Sequence, residues 1–142
     1  MCQAKRARPF PGKGEVILII DDEECIRDSC CQVLAKAGYR VEKASDGAIG
    51  LDKAREIGPD VVLVDLDMPG VSGLEVMDGL DKISPAIVRI VVTGNTSMDL
   101  DKEIIGKRLA LNCLAKPFSP EQLRLVVREA LNTRNDMRKR GG

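Results

Sequence analysis

The chain has 142 residues, 44% hydrophobic and 31% charged, with no histidine and only three aromatic residues, Phe10, Tyr39 and Phe118. That length and balance fit one globular domain with an aliphatic core and exclude a surface made for stacking bases or sugars; no apolar run approaches the roughly 20 residues that span a bilayer. The net charge of zero hides a division: residues 15–131 carry 14 Lys/Arg against 21 Asp/Glu, whereas the two ends carry eight basic residues and one acid.

Residues 1–14 are basic, hold two prolines and two glycines, and read as a disordered lead-in with no apolar segment of a secretory signal. Val16–Ile20 is a continuous aliphatic run, expected of a strand covered on both faces, and it ends in Asp21-Asp22. A helix follows, with Ile26, Cys30, Val33, Leu34 and Ala37 on its apolar face and Gly38 as its stop. Tyr39–Ala44 alternates as a short strand. Asp46-Gly47 opens a second helix carrying Ile49, Leu51, Ala54 and Ile57, closed by Gly58-Pro59. Val61–Val64 is another aliphatic strand and ends in Asp65. After a loop with Pro69 and Gly70, Ser72 and Glu75 are spaced as a capping box for a third helix, which Pro85 ends. Ile87–Val92 is a strand interrupted by Arg89 and followed by Thr93-Gly94. A helix is expected over 97–109, then a short strand, Cys113–Ala115, leading to Lys116-Pro117. Ser119-Pro120-Glu121-Gln122 is a strong helix start, and Leu123, Val126, Val127, Ala130 and Leu131 give that last helix one apolar stripe. Residues 132–142 are left as a basic tail. Both basic ends are read as solvated chain, with nucleic acid or a membrane surface as the other partners their charge would suit.

Five β-α repeats with short connections predict an α/β fold, a parallel sheet between two layers of helices. In such sheets ligands bind beyond the carboxyl ends of the strands. Asp21 and Asp22 end the first strand, Asp65 the third, Thr93 the fourth and Lys116 the fifth, so these scattered residues should meet on one rim. Crowded carboxylates stay ionised when a cation neutralises them, and an all-oxygen donor set with an incomplete protein shell suits Mg²⁺. Lys116 adds a compact positive charge, and the Thr93 hydroxyl can donate to a phosphoryl oxygen. These parts suit in-line phosphoryl transfer to a carboxylate, and Asp65 is the expected nucleophile because it sits centrally, on the third strand.

The segments ILIIDDEE, VVLVDLDMPGVSGLEVM, IVVTGN and CLAKPF resemble the signature of response-regulator receiver domains across residues 15–131. The resemblance implies a flavodoxin-like (βα)5 doubly wound sheet in the order 2-1-3-4-5. It implies Asp65 as phosphoacceptor, with Mg²⁺ on Asp22, Asp65 and the backbone carbonyl of Asp67, and Asp21 helping through water. Lys116 would contact the phosphoryl group or Asp65, Thr93 would close onto the phosphoryl group, and Lys116-Pro117 would be cis. It further implies a cytoplasmic two-component regulator: a phosphoprotein and not an enzyme beyond its own Mg²⁺-dependent phosphotransfer and autodephosphorylation. Phosphorylation would shift the loop after the fourth strand and the surface formed by the 97–109 helix, the fifth strand and the last helix.

The chain departs from the family pattern at Cys113, where an aromatic ring is usual, and at Leu109-Ala110-Leu111, where Gly-Ala is usual. A small thiol cannot report the switch as a swinging ring does. Asn95 and the Asp67 carboxylate are expected to tune attack by water on the phosphoryl group, which Asn95→Ala and Asp67→Asn would test through the dephosphorylation rate. With no histidine, the chain needs phosphate from a histidine kinase, a phosphotransfer protein or a small donor. No DNA-binding domain or membrane span is expected, the downstream target is another protein unless the chain is a fragment of a larger regulator, and pairing of two copies is left open. Two alternatives remain: a receiver that is not phosphorylated and serves as a binding module, and a haloacid-dehalogenase-type phosphatase, suggested by Asp65-Leu66-Asp67. The five cysteines, an odd number, predict reduced thiols in a cytosol, with Cys25, Cys30 and Cys31 packing into the core from one helix.

Overall fold

The structure is a computed structural model and describes residues 14–66, 68, 73–94 and 112–140. Five parallel strands form one sheet: β1 (Val16–Ile20), β2 (Arg40–Ala44), β3 (Val61–Asp65), β4 (Val88–Thr93) and β5 (Asn112–Ala115), in the order β2-β1-β3-β4-β5. The helices described are α1 (Glu24–Lys36), α2 (Gly47–Ile57), α3 (Gly73–Ile83) and α4 (Pro120–Arg140). The helix expected over 97–109, the Ser72 cap, Asp67, Asn95 and residues 109–111 lie outside the described residues.

Strand alternation divides the core in two. Ile17, Ile19, Val61, Leu63, Ile90 and Val92 face a layer made by Cys30, Cys31 and Leu34 of α1 and Leu123, Val127 and Leu131 of α4. Leu18, Ile20, Val62, Val64 and Val91 face Ala54 of α2 and Val76, Met77 and Leu80 of α3. Every residue of β3 is buried, as expected of the strand that carries Asp65 in the middle of the sheet. Arg89, which interrupts β4, pairs with Asp81 of α3 at 3.5 Å.

Local signals explain the ends of most elements. Asp46 caps α2 by accepting from the Ile49 N–H at 2.9 Å, and Gly58 ends it in the left-handed region at φ 58°. Ser119 and Gln122 make the reciprocal capping box of α4: Ser119 N–H donates to Gln122 Oε1 at 2.8 Å, and Gln122 N–H to Ser119 Oγ at 3.1 Å.

Four details differ from the sequence reading. Ile49 is 42% exposed; α2 instead turns the buried Gly47, Gly50 and Ala54 inward, because the helix lies too close to β1 for larger side chains. Cys25 is exposed and stays out of the core, while Cys30 and Cys31 are buried. Cys31 is disulfide-bonded, against the expectation of reduced thiols, whereas Cys25, Cys30 and Cys113 are free. The last helix continues past its apolar stripe to Arg140. There Arg134 Nη1 reaches Asp60 Oδ1 at 2.9 Å, and Asp60 Oδ2 accepts from the Val16 N–H at 2.8 Å.

Candidate functional site

The carboxyl ends of β1, β3, β4 and β5 bring Asp21, Asp65, Thr93 and Lys116 to one rim, as the strand endings predict. The register fixes this: Ile20 lies beside Val64, Asp65 beside Val92, and Thr93 beside Ala115. The Lys116 N–H then donates to the Thr93 carbonyl at 2.9 Å, so the chain leaves β5 with the lysine against β4. The Lys116-Pro117 peptide bond is cis, as the family resemblance implies.

Asp65 is 1% exposed, Asp21 3% and Thr93 5%, and they are the buried polar residues of the described core. Lys116 Nζ lies 3.0 Å from Asp65 Oδ2, 3.2 Å from Asp21 Oδ2 and 3.5 Å from Glu23 Oε1. One ammonium therefore stands among three carboxylates. Burial works against its charge, but the hydrogen bond to Asp65 and the charges of Asp21 and Asp65 outweigh that and hold its pKa above the ordinary lysine value. The Asp21 carboxyl is pushed up by burial and by the Asp65 charge, against the opposing Glu23 N–H and Lys116. Cys30, beneath this floor, has its thiol pushed up to about 12 by burial and the Asp21 charge, which leaves it an inert core residue.

Asp21, Asp22, Glu23 and Asp65 each bring one carboxylate oxygen within 4.8 Å of the others. These are hard oxygen donors, two from buried and two from exposed residues, open to solvent on one side. That donor set fits a divalent cation that keeps water in its shell, as Mg²⁺ does. The Lys116 ammonium lies beside three of them, Asp21, Glu23 and Asp65.

Glu23 and Arg27 were not singled out in the sequence. Asp21-Asp22 alone looks like a helix cap, yet the N-cap of α1 is Glu23, whose side chain makes no cap hydrogen bond. Asp21 instead uses Oδ1 to accept from the Glu23 N–H at 2.8 Å, and Arg27 Nη1 donates to the Asp21 carbonyl at 2.8 Å. The hint was present in the run of four acids, Asp21 to Glu24, but which of them turn to the rim depends on Lys116, 93 positions from Glu23.

Residues 17–128 match the model of the response regulator receiver domain. The chain belongs to this family. It is 35% identical over 119 residues to sporulation initiation phosphotransferase F of Bacillus subtilis, covering 83% of this chain and 94% of that protein. It is 33% identical over 120 residues to the chemotaxis protein CheY of Thermotoga maritima, covering 84% and 96%. Against transcriptional regulatory protein CreB of Escherichia coli, 34% identical over 118 residues, it spans 51% of the relative's length. Among solved structures, the CheY-like receiver domain protein of Methanospirillum hungatei superposes with a TM-score of 0.82 at 30% identity, covering 87% of this chain and 98% of that one. The receiver is thus a two-component response regulator domain with the flavodoxin-like strand order, and the phosphatase reading of Asp65-Leu66-Asp67 falls. A receiver is a phosphoacceptor rather than a conventional enzyme, and its family implies exchange with a histidine kinase or phosphotransfer protein. No helix among the described residues is long and apolar enough to cross a membrane.

Proposed function

We propose that Asp65 accepts a phosphoryl group from a phosphohistidine of a kinase or phosphotransfer protein, and that the phosphorylated receiver changes its affinity for a downstream protein. The observation that carries this reading is the bond from Lys116 Nζ to Asp65 Oδ2 at 3.0 Å on a buried rim. A carboxylate oxygen of Asp65 attacks phosphorus, the bond from phosphorus to the donor nitrogen breaks, and its electron pair stays on the imidazole. Lys116 is placed to offset charge on the transferring oxygens, and Thr93 to donate its hydroxyl to one of them. Asp21, Asp22, Asp65 and the backbone carbonyl of Asp67 would hold Mg²⁺, which would supply positive charge to offset the carboxylates and the transferring group. Water attacking phosphorus later releases inorganic phosphate and restores the carboxylate, at a rate that Asp67 and Asn95 would tune.

The working unit of this reading is residues 15–131 together with the turn of α4 that carries Arg134 to Asp60. Cys113 is exposed on β5, where the family usually carries a ring. The signal therefore passes to the outer surface through Thr93 and the backbone that Lys116 shares with it, without a ring swing. Output is binding to a protein target.

The test is intact mass after incubation with acetyl phosphate and Mg²⁺, with Asp65→Asn alongside. A gain of about 80 Da in the wild type alone is expected. No gain in a folded protein, together with no binding of beryllofluoride, would leave the domain as an unphosphorylated binding module.

A further inference from the structure

Glu23 has the backbone of a helix N-cap but uses its side chain elsewhere. Its backbone is extended, at φ −93° and ψ 115°, and is held from both sides: its N–H donates to Asp21 Oδ1 at 2.8 Å, and its carbonyl accepts from the Arg27 N–H at 3.0 Å. A capping residue would spend its side chain on the first-turn N–H groups; Glu23 does not. Its carboxylate instead reaches across the rim to Lys116 at 3.5 Å, with the side chain 61% exposed, so it forms the solvent edge of the cluster. One oxygen of it lies within 4.8 Å of one oxygen each from Asp21, Asp22 and Asp65. Three of these carboxylates contact the single ammonium of Lys116 and Asp22 stands beside them, which leaves an excess of negative charge at the mouth.

We infer that Glu23 is the solvent-side carboxylate of the rim's divalent-cation site and sets how tightly the receiver holds that ion. The inference rests on the reading that this rim takes a divalent cation. A charge so close to the site attracts an entering cation even through partial solvent screening. Lys116 would then give up its longer contact with Glu23 and keep those it already makes with Asp65 and Asp21. Glu24, the next acid in the chain, is exposed and lies outside the cluster, and so serves as the control for a merely general surface charge.

The experiment is calorimetric titration of the full chain with MgCl₂ at fixed ionic strength and neutral pH, in wild type, Glu23→Gln, Glu24→Gln and Asp22→Asn. Unfolding midpoints without added cation establish that each variant is folded. Glu23→Gln is expected to weaken Mg²⁺ binding about three- to tenfold, with Glu24→Gln close to wild type. Unchanged or tighter binding in Glu23→Gln, beside clear weakening in Asp22→Asn, overturns the role of Glu23 and leaves the cation site standing. Equal weakening by Glu23→Gln and Glu24→Gln also overturns it, because bulk charge would then explain both. No Mg²⁺ binding by the wild type removes the cation site itself and this inference with it.

Discussion

Tyr39 shows how one buried side chain gives a measurable pH dependence away from the rim. It is 4% exposed in the layer between the sheet and helices α1 and α4. Burial and the Glu15 charge raise its phenol pKa above the ordinary value of 10.0, against the opposing Arg128. A raised acid favours the protonated fold, so its stabilisation is complete below the unfolded value and is lost as pH climbs through the folded one. Urea midpoints measured from pH 8 to pH 11 should fall more steeply in wild type than in Tyr39→Phe. Parallel alkaline limbs would show that the phenol stays solvated. The same scale shows how far the rim could be read in advance. Asp21, Asp65, Thr93 and Lys116 were legible because each ends a strand, and strand ends of a parallel sheet converge by topology. Glu23 and Arg27 were not, because both lie beyond the strand end and are placed by the turn into α1: one meets a lysine near the far end of the domain, the other a backbone carbonyl.

At the scale of elements, aliphatic runs and turn residues marked the strands and helices, but apolar spacing misjudged the inner face of α2. A scale of hydrophobicity favours Ile49, whereas the distance between α2 and β1 favours Gly50. A Cβ added at Gly50 would fall on Ile20 Cδ1 and stand 2.7 Å from Ile20 Cγ1. Ile20 is fully buried and has little room to yield. Gly50→Ala should therefore cost about 1–3 kcal/mol despite the better helix propensity of alanine. Ile20→Val, which removes Cδ1, should recover part of the loss in the double variant, as read by chemical denaturation; independent, additive losses would rule out the proposed contact. The cap of α4 was legible for the opposite reason. Ser119 and Gln122 are three positions apart and satisfy one another without help from distant chain. Close approach is a property of two elements at once, and a single helix does not disclose it.

At the scale of the whole molecule, the sheet has a reactive pole at the carboxyl ends of its strands and a structural pole at the other. Asp60 organises the second, with one oxygen on the Val16 N–H and the other on Arg134. Arg134 has 12% of its side chain exposed, so the pair is better shielded than an ordinary surface ion pair. Arg134→Ala should lower unfolding free energy by about 1 kcal/mol, and Asp60→Ala by more, since it also leaves the Val16 N–H without its acceptor. Equal losses in urea denaturation would argue that the Val16 bond contributes nothing. The sequence assigned Arg134 to a solvated tail because the apolar stripe of α4 ends at Leu131. A helix can outlast its apolar stripe when a polar side chain finds a distant partner, and no local pattern announces that.

The shared anchor at Asp60 also fixes where the domain can be held. The first strand enters and the last helix passes at the same carboxylate, whereas the phosphoacceptor rim lies a strand's length away, about 16 Å. The amino-terminal edge of β1 and the Arg134 turn of α4 are therefore held together at the pole opposite the rim. Changes at that anchor act on the stability of the domain from the end of the sheet opposite to the one where Asp65 would exchange phosphate.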